Sequence, residues 1–290
     1  WYGQDTVTNF ENVTGMANDD WIVGNSGTNT LSGADGNDYL DGDAGNDTLI
    51  GGASNDTLIG GTGYDTLDYR SSTAGILANL DSVSRTLNGT AVAAGAVRDG
   101  LGGIDTVSSI ENVIGTSYAD WLMGSSAAET FVGGAGNDNI NGGAETDRAD
   151  YGSSTSSIRV NLSTTSQTLG GVVVAAGTVS DGVGGTDTLT SIERIQGSAY
   201  ADWMMGSANA DTFAGGAGND TLNGGAGIDT LDYSGSAAAV LVNLSSASQT
   251  LNAIVVAAGT ARDGLGGTDT LTGFENVTGS AYADWMFGSA

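Results

Sequence analysis

The sequence predicts an all-β chain wound as a solenoid. Three observations carry that reading. A nine-residue phrase recurs, most clearly over residues 42–50, 51–59 and 60–68, with Gly first, Asp sixth (Asp47, Asp56, Asp65) and an aliphatic eighth (Leu49, Leu58, Leu67). A longer repeat of 82 residues relates Trp121, Trp203 and Trp285, and also Tyr69, Tyr151 and Tyr233, Asp99, Asp181 and Asp263, and Glu111, Glu193 and Glu275. No segment carries the long 3.6-residue apolar period of an amphipathic helix.

Each nonapeptide reads as a turn followed by a three-residue strand. The eighth-position aliphatic points inward, and Gly at the first, often second, and fourth positions lets the chain turn with φ > 0 and approach itself closely. The first long repeat shows how many units make a coil. Trp21 precedes Trp121 by 100 residues, not 82, and the extra 18 lie wholly within the nonapeptide block. Two inserted units keep the following segment on its own face, whereas one would turn it to the opposite side. The coil is therefore 18 residues, and successive coils stack about 4.8 Å apart, as paired strands do. One coil cannot bury its thin core alone, so stability comes from neighbours.

In chain order, residues 1–23 read as the end of a preceding repeat. Residues 24–123 are the first long repeat, with a nonapeptide block at 24–68 and a β-rich linker at 69–123. Residues 124–205 are the second (block 124–150), 206–287 the third (block 206–232), and 288–290 begin another. The linkers are rich in Ser, Ala and Val and hold strand-like runs at 158–162, 172–175, 240–244 and 254–257. Both ends fall within a repeat, which predicts a segment of a longer protein.

Composition narrows the chemistry. Of 290 residues 49 are Gly, about twice the usual ~7%. There is no Pro, Cys or His, and the net charge is −27 from 34 acids against 7 basic residues. Such a chain repels nucleic acid and anionic membranes, and no apolar run reaches membrane length. Without Cys and His, transition metals lose their usual ligands, while oxygen suits hard cations. The periodicity of the acids argues against a disordered acidic tract.

Stepping by nine extends the ladder beyond its glycines. It runs through Asp20, Asn29, Asp38, Asp47, Asp56 and Asp65, through Glu111, Asp120, Glu129, Asp138 and Asp147, and through Glu193, Asp202, Asp211, Asp220 and Asp229, with Asp284 nine after Glu275. Residues 18 apart lie on the same side of adjacent coils. Asp38 then meets Asp56, Asp47 meets Asp65, Asp120 meets Asp138, Asp202 meets Asp220, and Asp211 meets Asp229. Carboxylates that close repel when ionised. A Ca²⁺ between them reverses the sign, and turn carbonyls complete its six to eight oxygen ligands; Mg²⁺, which demands tighter octahedral geometry, fits less well.

These units resemble the G-G-x-G-x-D-x-U-x repeat of RTX proteins, a calcium-binding parallel β-helix repeat. The resemblance is specific over 33–68, 133–150 and 215–232, looser in the Tyr-Ala-Asp-Trp units and absent from the linkers. It implies a right-handed parallel β-roll, several Ca²⁺ ions held between turns, folding on calcium binding, and export by a type I route from a Gram-negative bacterium to an extracellular or cell-surface location. The metal-binding residues so expected are Asp20, Asp38, Asp47, Asp56, Asp65, Asp120, Asp138, Asp147, Asp202, Asp211, Asp220, Asp229 and Asp284. Asn29, Glu129, Ser54 and Glu145 depart from the pattern, and sites there are expected to be weaker or vacant. Asp105, Asp187 and Asp269 lie out of step by three and either bind calcium at the junction or cap a turn; Asp68, Asp150 and Asp232 face the same choice.

Trp121, Trp203 and Trp285 occupy seventh positions and point outward. Either the linker folds over them, or they form an aromatic stripe for self-association or a glycan. Third positions are mostly Ala, which disfavours ice binding. No His, Cys or Lys supplies a base or nucleophile, so the chain is not expected to be an enzyme. The reading is a calcium-dependent structural module of an adhesin, extender or matrix protein, with the non-catalytic RTX region of a secreted lipase, protease or polysaccharide-modifying enzyme as the alternative.

Overall fold

The computed structural model describes residues 10–289, so residues 1–9 of the expected leading fragment and residue 290 lie outside it. The described residues form strands and turns and no helix. Contacts divide the chain into two units, residues 1–134 with 142–145, and residues 135–141 with 146–290.

In the first unit the strands fall into two rows. One row runs through Asn12–Thr14, Thr30–Asp35, Thr48–Ala53 and Thr66–Asp68, with each strand parallel to the next and in a register of 18 residues (Asn12 with Thr30, Thr30 with Thr48, Thr48 with Thr66). The other runs through Trp21–Val23, Tyr39–Asp41 and Thr57–Ile59, again at 18. The coil of two nonapeptides is thereby established. Thr precedes the inward Leu31, Leu49, Leu58 and Leu67, and Tyr39 precedes Leu40; such β-branched and aromatic residues fit the pleated surface. Leu31, Leu40, Leu49, Leu58 and Leu67 are each 1% exposed or less and form the core.

The linker departs from a purely parallel roll. After Thr66–Asp68 the first row continues directly to Asn112–Ile114 and then Thr130–Val132. The second row gains three strands at that step. Ile104–Ser108 lies parallel to Thr57–Ile59, Ala96–Arg98 lies antiparallel to it, Leu77–Asn79 lies antiparallel to that, and Trp121–Met123 follows in parallel. The linker strands are thus laid down in reverse chain order. Between the first two, Arg85–Leu87 and Thr90–Val92 form a separate hairpin.

The second unit repeats this plan. One row holds Arg148–Asp150, Arg194–Gln196, Thr212–Ala214, Thr230–Asp232 and Asn276–Thr278. The other joins Asn139–Asn141 to Thr186–Thr190, Thr178–Ser180, Arg159–Asn161, Trp203–Met205 and Thr221–Asn223, and then repeats the linker insertion through Thr268–Thr272, Thr260–Arg262 and Leu241–Asn243 to Trp285–Phe287.

One buried asparagine per linker fastens the hairpin. Asn79 Nδ2 donates to the carbonyls of Val83, Val92 and Ala93 at 3.0, 3.3 and 2.7 Å. Asn161 and Asn243 do the same in their copies.

Candidate metal centre

Within each unit the sixth-position acids form hydrogen-bonded ladder steps. In each step one carboxylate oxygen accepts the N–H of the rung 18 residues earlier: Asp20 N–H to Asp38, Asp38 to Asp56, Asp47 to Asp65, Asp202 to Asp220, and Asp211 to Asp229, at 2.8–2.9 Å. The strand register places them so, because each acid immediately precedes its strand. All of these acceptors are 3% exposed or less.

The second residue of the unit then divides the rungs into two classes. Where it is Met16, Asn25, Thr116, Ser125, Ser198, Ser207 or Ser280, its N–H turns onto the side chain four residues on. These bonds reach Asp20, Asn29, Asp120, Glu129, Asp202, Asp211 and Asp284 at 2.6–3.2 Å. A hydroxyl adds a further bond from Thr116, Ser198, Ser207 and Ser280 to the same acids. The arrangement is a local side-chain-to-backbone turn of the kind short polar residues favour.

Where the second residue is left-handed, no such donor arrives. Ala34, Asp43, Gly52, Gly61, Gly216 and Gly225 all have φ between 68° and 108°. The matching acids Asp38, Asp47, Asp56, Asp65, Asp220 and Asp229 each keep a buried Oδ2 with no hydrogen-bond partner. A buried oxygen in that state is costly. Burial pushes the Asp56 carboxyl up to about 6 and Asp220 up to about 8, and it raises Asp38, Asp47, Asp65 and Asp229 as well.

Beside Asp38, Asp47, Asp65 and Asp229 the space at the orphaned oxygen is also lined by a carbonyl oxygen. A Cβ placed on Gly33 would lie 2.0 Å from Asp38 Oδ2 and 2.7 Å from the Gly51 carbonyl oxygen of the next coil. On Gly42 it would meet Asp47 Oδ2 and the Gly60 carbonyl, both at 2.4 Å. First-position glycine therefore keeps open a cradle shared by a carboxylate and a carbonyl. Among the described residues no three acidic side chains converge closely enough to hold an ion by carboxylates alone. An ion here needs carbonyl ligands, which suits calcium.

The residues out of step in sequence are in step in space. Asp105 continues the ladder, since Asp56 N–H donates to its Oδ1 at 3.0 Å, and its Oδ2 accepts the buried Tyr69 hydroxyl at 2.8 Å. Asp187 with Tyr151 and Asp269 with Tyr233 repeat this. Burial pushes Asp105 up to about 7 and Asp269 up to about 6. Asp68, Asp150 and Asp232 take a different part. They sit at strand ends in ion pairs with Arg70 (2.6 Å), Arg148 (2.9 Å) and Arg194 (3.3 Å). Asp99, Asp181 and Asp263 are fully buried; their 82-residue spacing marks them in the sequence, but they lie outside the nine-residue ladder from which ligands are expected.

The linkers cover the tryptophans in part. Leu87, Val92 and Ala96 cluster with the half-buried Leu77, Trp121 and Met123. Trp203 lies under Gly170, whose added Cβ would stand 2.7 Å from the ring, with the Arg159 guanidinium 4.9 Å from the ring centroid. Trp21, which lacks a hairpin among the described residues, is 74% exposed and stacks on Tyr39. No helix of the described residues is long and apolar enough to cross a membrane.

Comparison with known proteins agrees with this geometry. The model of the RTX calcium-binding nonapeptide repeat matches residues 14–49, 32–67, 114–149 and 196–231. No curated protein matches the chain. The matched segments are the coils of the ladder and stop short of most of each linker, so the RTX calcium-binding nonapeptide repeat is found in four copies along the chain.

Proposed function

We propose that this chain is a calcium-loaded structural module of an extracellular bacterial protein, of the adhesin, extender or matrix type, that folds on meeting calcium after export. One observation carries the reading: every left-handed second residue among the six described above leaves a buried carboxylate oxygen with no donor, and beside Asp38, Asp47, Asp65 and Asp229 the first-position glycine also faces a backbone carbonyl, of Gly51, Gly60, Ser109 and Gly273. A hard cation satisfies both oxygens and offsets the raised carboxyl pKa values. Asp38, Asp47, Asp56, Asp65, Asp220 and Asp229 hold the ions on this reading, joined by Asp138 and Asp147 at the same sixth position of their Gly-Gly units. The hydroxyl-capped rungs Asp120, Asp202, Asp211 and Asp284, with Asp20, serve the ladder through hydrogen bonds instead.

The structural role rests on repetition. Tandem 82-residue copies carry no singular constellation of nucleophile and base. Self-association or glycan binding through Trp121, Trp203 and Trp285 has weaker support, because the hairpins cover much of the Trp121 and Trp203 rings. Calcium titration of the chelated chain by far-UV circular dichroism tests the reading. A chain already fully β-folded in excess chelator at pH 8, and silent to added calcium, would refute it.

A further inference from the structure

We propose a second kind of calcium site at each junction, where the linker loop closes the end of a Gly-Gly ladder and supplies its own carboxylate from Asp99, Asp181 or Asp263. This rests on the calcium reading above and goes beyond its nonapeptide sites, because the new ligand lies in the linker.

The loop at 99–105 takes the place of a nonapeptide turn. Ile104–Ser108 pairs with Thr57–Ile59, and Ile104 N–H donates to Asn55 Oδ1 at 2.8 Å. The loop is held by Asp99 Oδ1, which accepts three successive N–H groups, from Leu101, Gly102 and Gly103, at 2.9, 2.9 and 2.8 Å. That leaves Asp99 Oδ2, on a fully buried residue, with no partner. The facing rung, Asp56, is buried with its own Oδ2 unpartnered.

The two sides converge at Gly103. A Cβ added there would lie 2.8 Å from Asp99 Oδ2 and 1.7 Å from the Ser54 carbonyl oxygen of the ladder turn. The third copy matches it. Asp263 Oδ1 accepts Leu265, Gly266 and Gly267 N–H groups, its Oδ2 is orphaned, and a Cβ on Gly267 would meet Asp263 Oδ2 at 2.6 Å and the Gly218 carbonyl at 1.5 Å. In the second copy Asp181 Oδ2 is likewise without a partner, and Gly185 faces Asp181 Oδ2 at 2.6 Å and the Gly136 carbonyl at 1.4 Å. Asp105 and Asp269 have both oxygens engaged, by the ladder N–H and the Tyr hydroxyl. They add negative charge to the site without a spare ligand. In the first and third copies the site thus offers the oxygens a hard divalent cation selects: the unpartnered oxygens of Asp99 and Asp56, or of Asp263 and Asp220, and a turn carbonyl.

Mutation to Asn keeps the Oδ1 that organises the loop and removes the charge. Equilibrium dialysis with calcium on the whole chain compares wild type, the triple variant D99N/D181N/D263N and the single variant D263N. Circular dichroism in saturating calcium confirms the fold of each. The triple variant is expected to bind three fewer ions, and D263N one fewer, at the calcium concentration where wild type first saturates. Should the triple variant fail to fold, D263N alone still gives the reading, because the first two copies are untouched. Unchanged calcium uptake by D263N overturns the junction site while leaving the nonapeptide sites intact. A wild-type chain that takes up no calcium refutes the parent reading instead.

Discussion

Acid should substitute for calcium in folding this chain, because the buried carboxyls need either a proton or a cation. The perturbation is a pH series in excess chelator. Asp220 has its pKa pushed from 3.8 to about 8, first by burial and then by the charges of Asp269, Asp202 and Asp263, with the hydrogen bond from Asp202 acting the other way. At about 1.4 kcal/mol per unit, ionising it in the folded, calcium-free chain costs about 6 kcal/mol. Asp105, at about 7, adds about 4 kcal/mol on the same scale. Whole domains are stable by only about 5–15 kcal/mol, so these rungs alone bring the calcium-free fold to the edge at alkaline pH.

The sign follows from proton uptake. A carboxyl whose pKa is higher folded than unfolded holds more protons in the folded chain between about pH 4 and 8, so stability falls as pH rises through that window. Below the unfolded value of 3.8 the opposite holds for Asp68, which Arg70 keeps low against the upward pull of burial, and for Asp284, kept low by bonds from Val240 and Ser280; their contribution is lost as pH falls further. The chelated chain should therefore be most folded near pH 4–5 and lose β structure toward pH 8, while the calcium-loaded chain stays folded at pH 8. Far-UV circular dichroism and fluorescence of the five tryptophans report both states. Equal β content in chelator at pH 5 and pH 8, or more at pH 8, would refute the reasoning.

Three further outcomes follow from the same geometry. Asp56→Ala should weaken calcium affinity markedly in a titration, while Asp43→Ala, at an exposed second position, should leave it close to wild type; equal effects contradict the pairing. Asn161→Ala removes three buried hydrogen bonds and should cost roughly 1–3 kcal/mol, opening residues 163–177 to protease and shifting Trp203 emission to the red. Gly216→Ala puts a Cβ 2.0 Å from the Ser198 carbonyl, whereas Gly171→Ala meets nothing within 4 Å at a similar positive φ. Urea denaturation in calcium should separate them by roughly 2–3 kcal/mol, with Gly216→Ala the weaker.

The coil was legible because evolution inserted two units at once, and the inward Leu at every eighth position fixed its face. The linker was far less so. Asp105 is out of step by three when counted along the chain, but the chain reaches it after leaving the stack and returning. Its register is set by Val107 lying beside Leu58, a contact no count of residues encodes. The hairpin had a signal: Asn88-Gly89 between Leu87 and Thr90 is a two-residue turn, and both residues are left-handed, at 46° and 73°. Asn252 and Ala253 adopt the same turn at 47° and 61° without that signature. Asn79, Asn161 and Asn243 also recur every 82 residues, yet a buried role for an Asn beside turns is not evident until its three carbonyl partners are seen.

The contrast between Gly-Gly and Gly-Ser units is plain in the sequence, and its energetic meaning emerges only with the amide directions. Asp202 and Asp220 are both buried, at 0% and 1% exposed, but their carboxyls are pushed to about 6 and about 8. The Ile158 N–H together with the Ser198 hydroxyl and N–H hold Asp202 down, while Asp220 has only the Asp202 N–H and faces Asp269 and Asp263. Two units correspond to about 3 kcal/mol between neighbouring rungs. A stack with nearest-neighbour coupling need not then order all at once. The Ser-capped coil at 198–214 should gain hydrogen-exchange protection at calcium concentrations too low to order the Gly-Gly coil at 215–232. Exchange measured segment by segment through a calcium titration reads this directly. A single shared midpoint for the two segments would show that coupling along the stack exceeds the difference between capped and uncapped rungs.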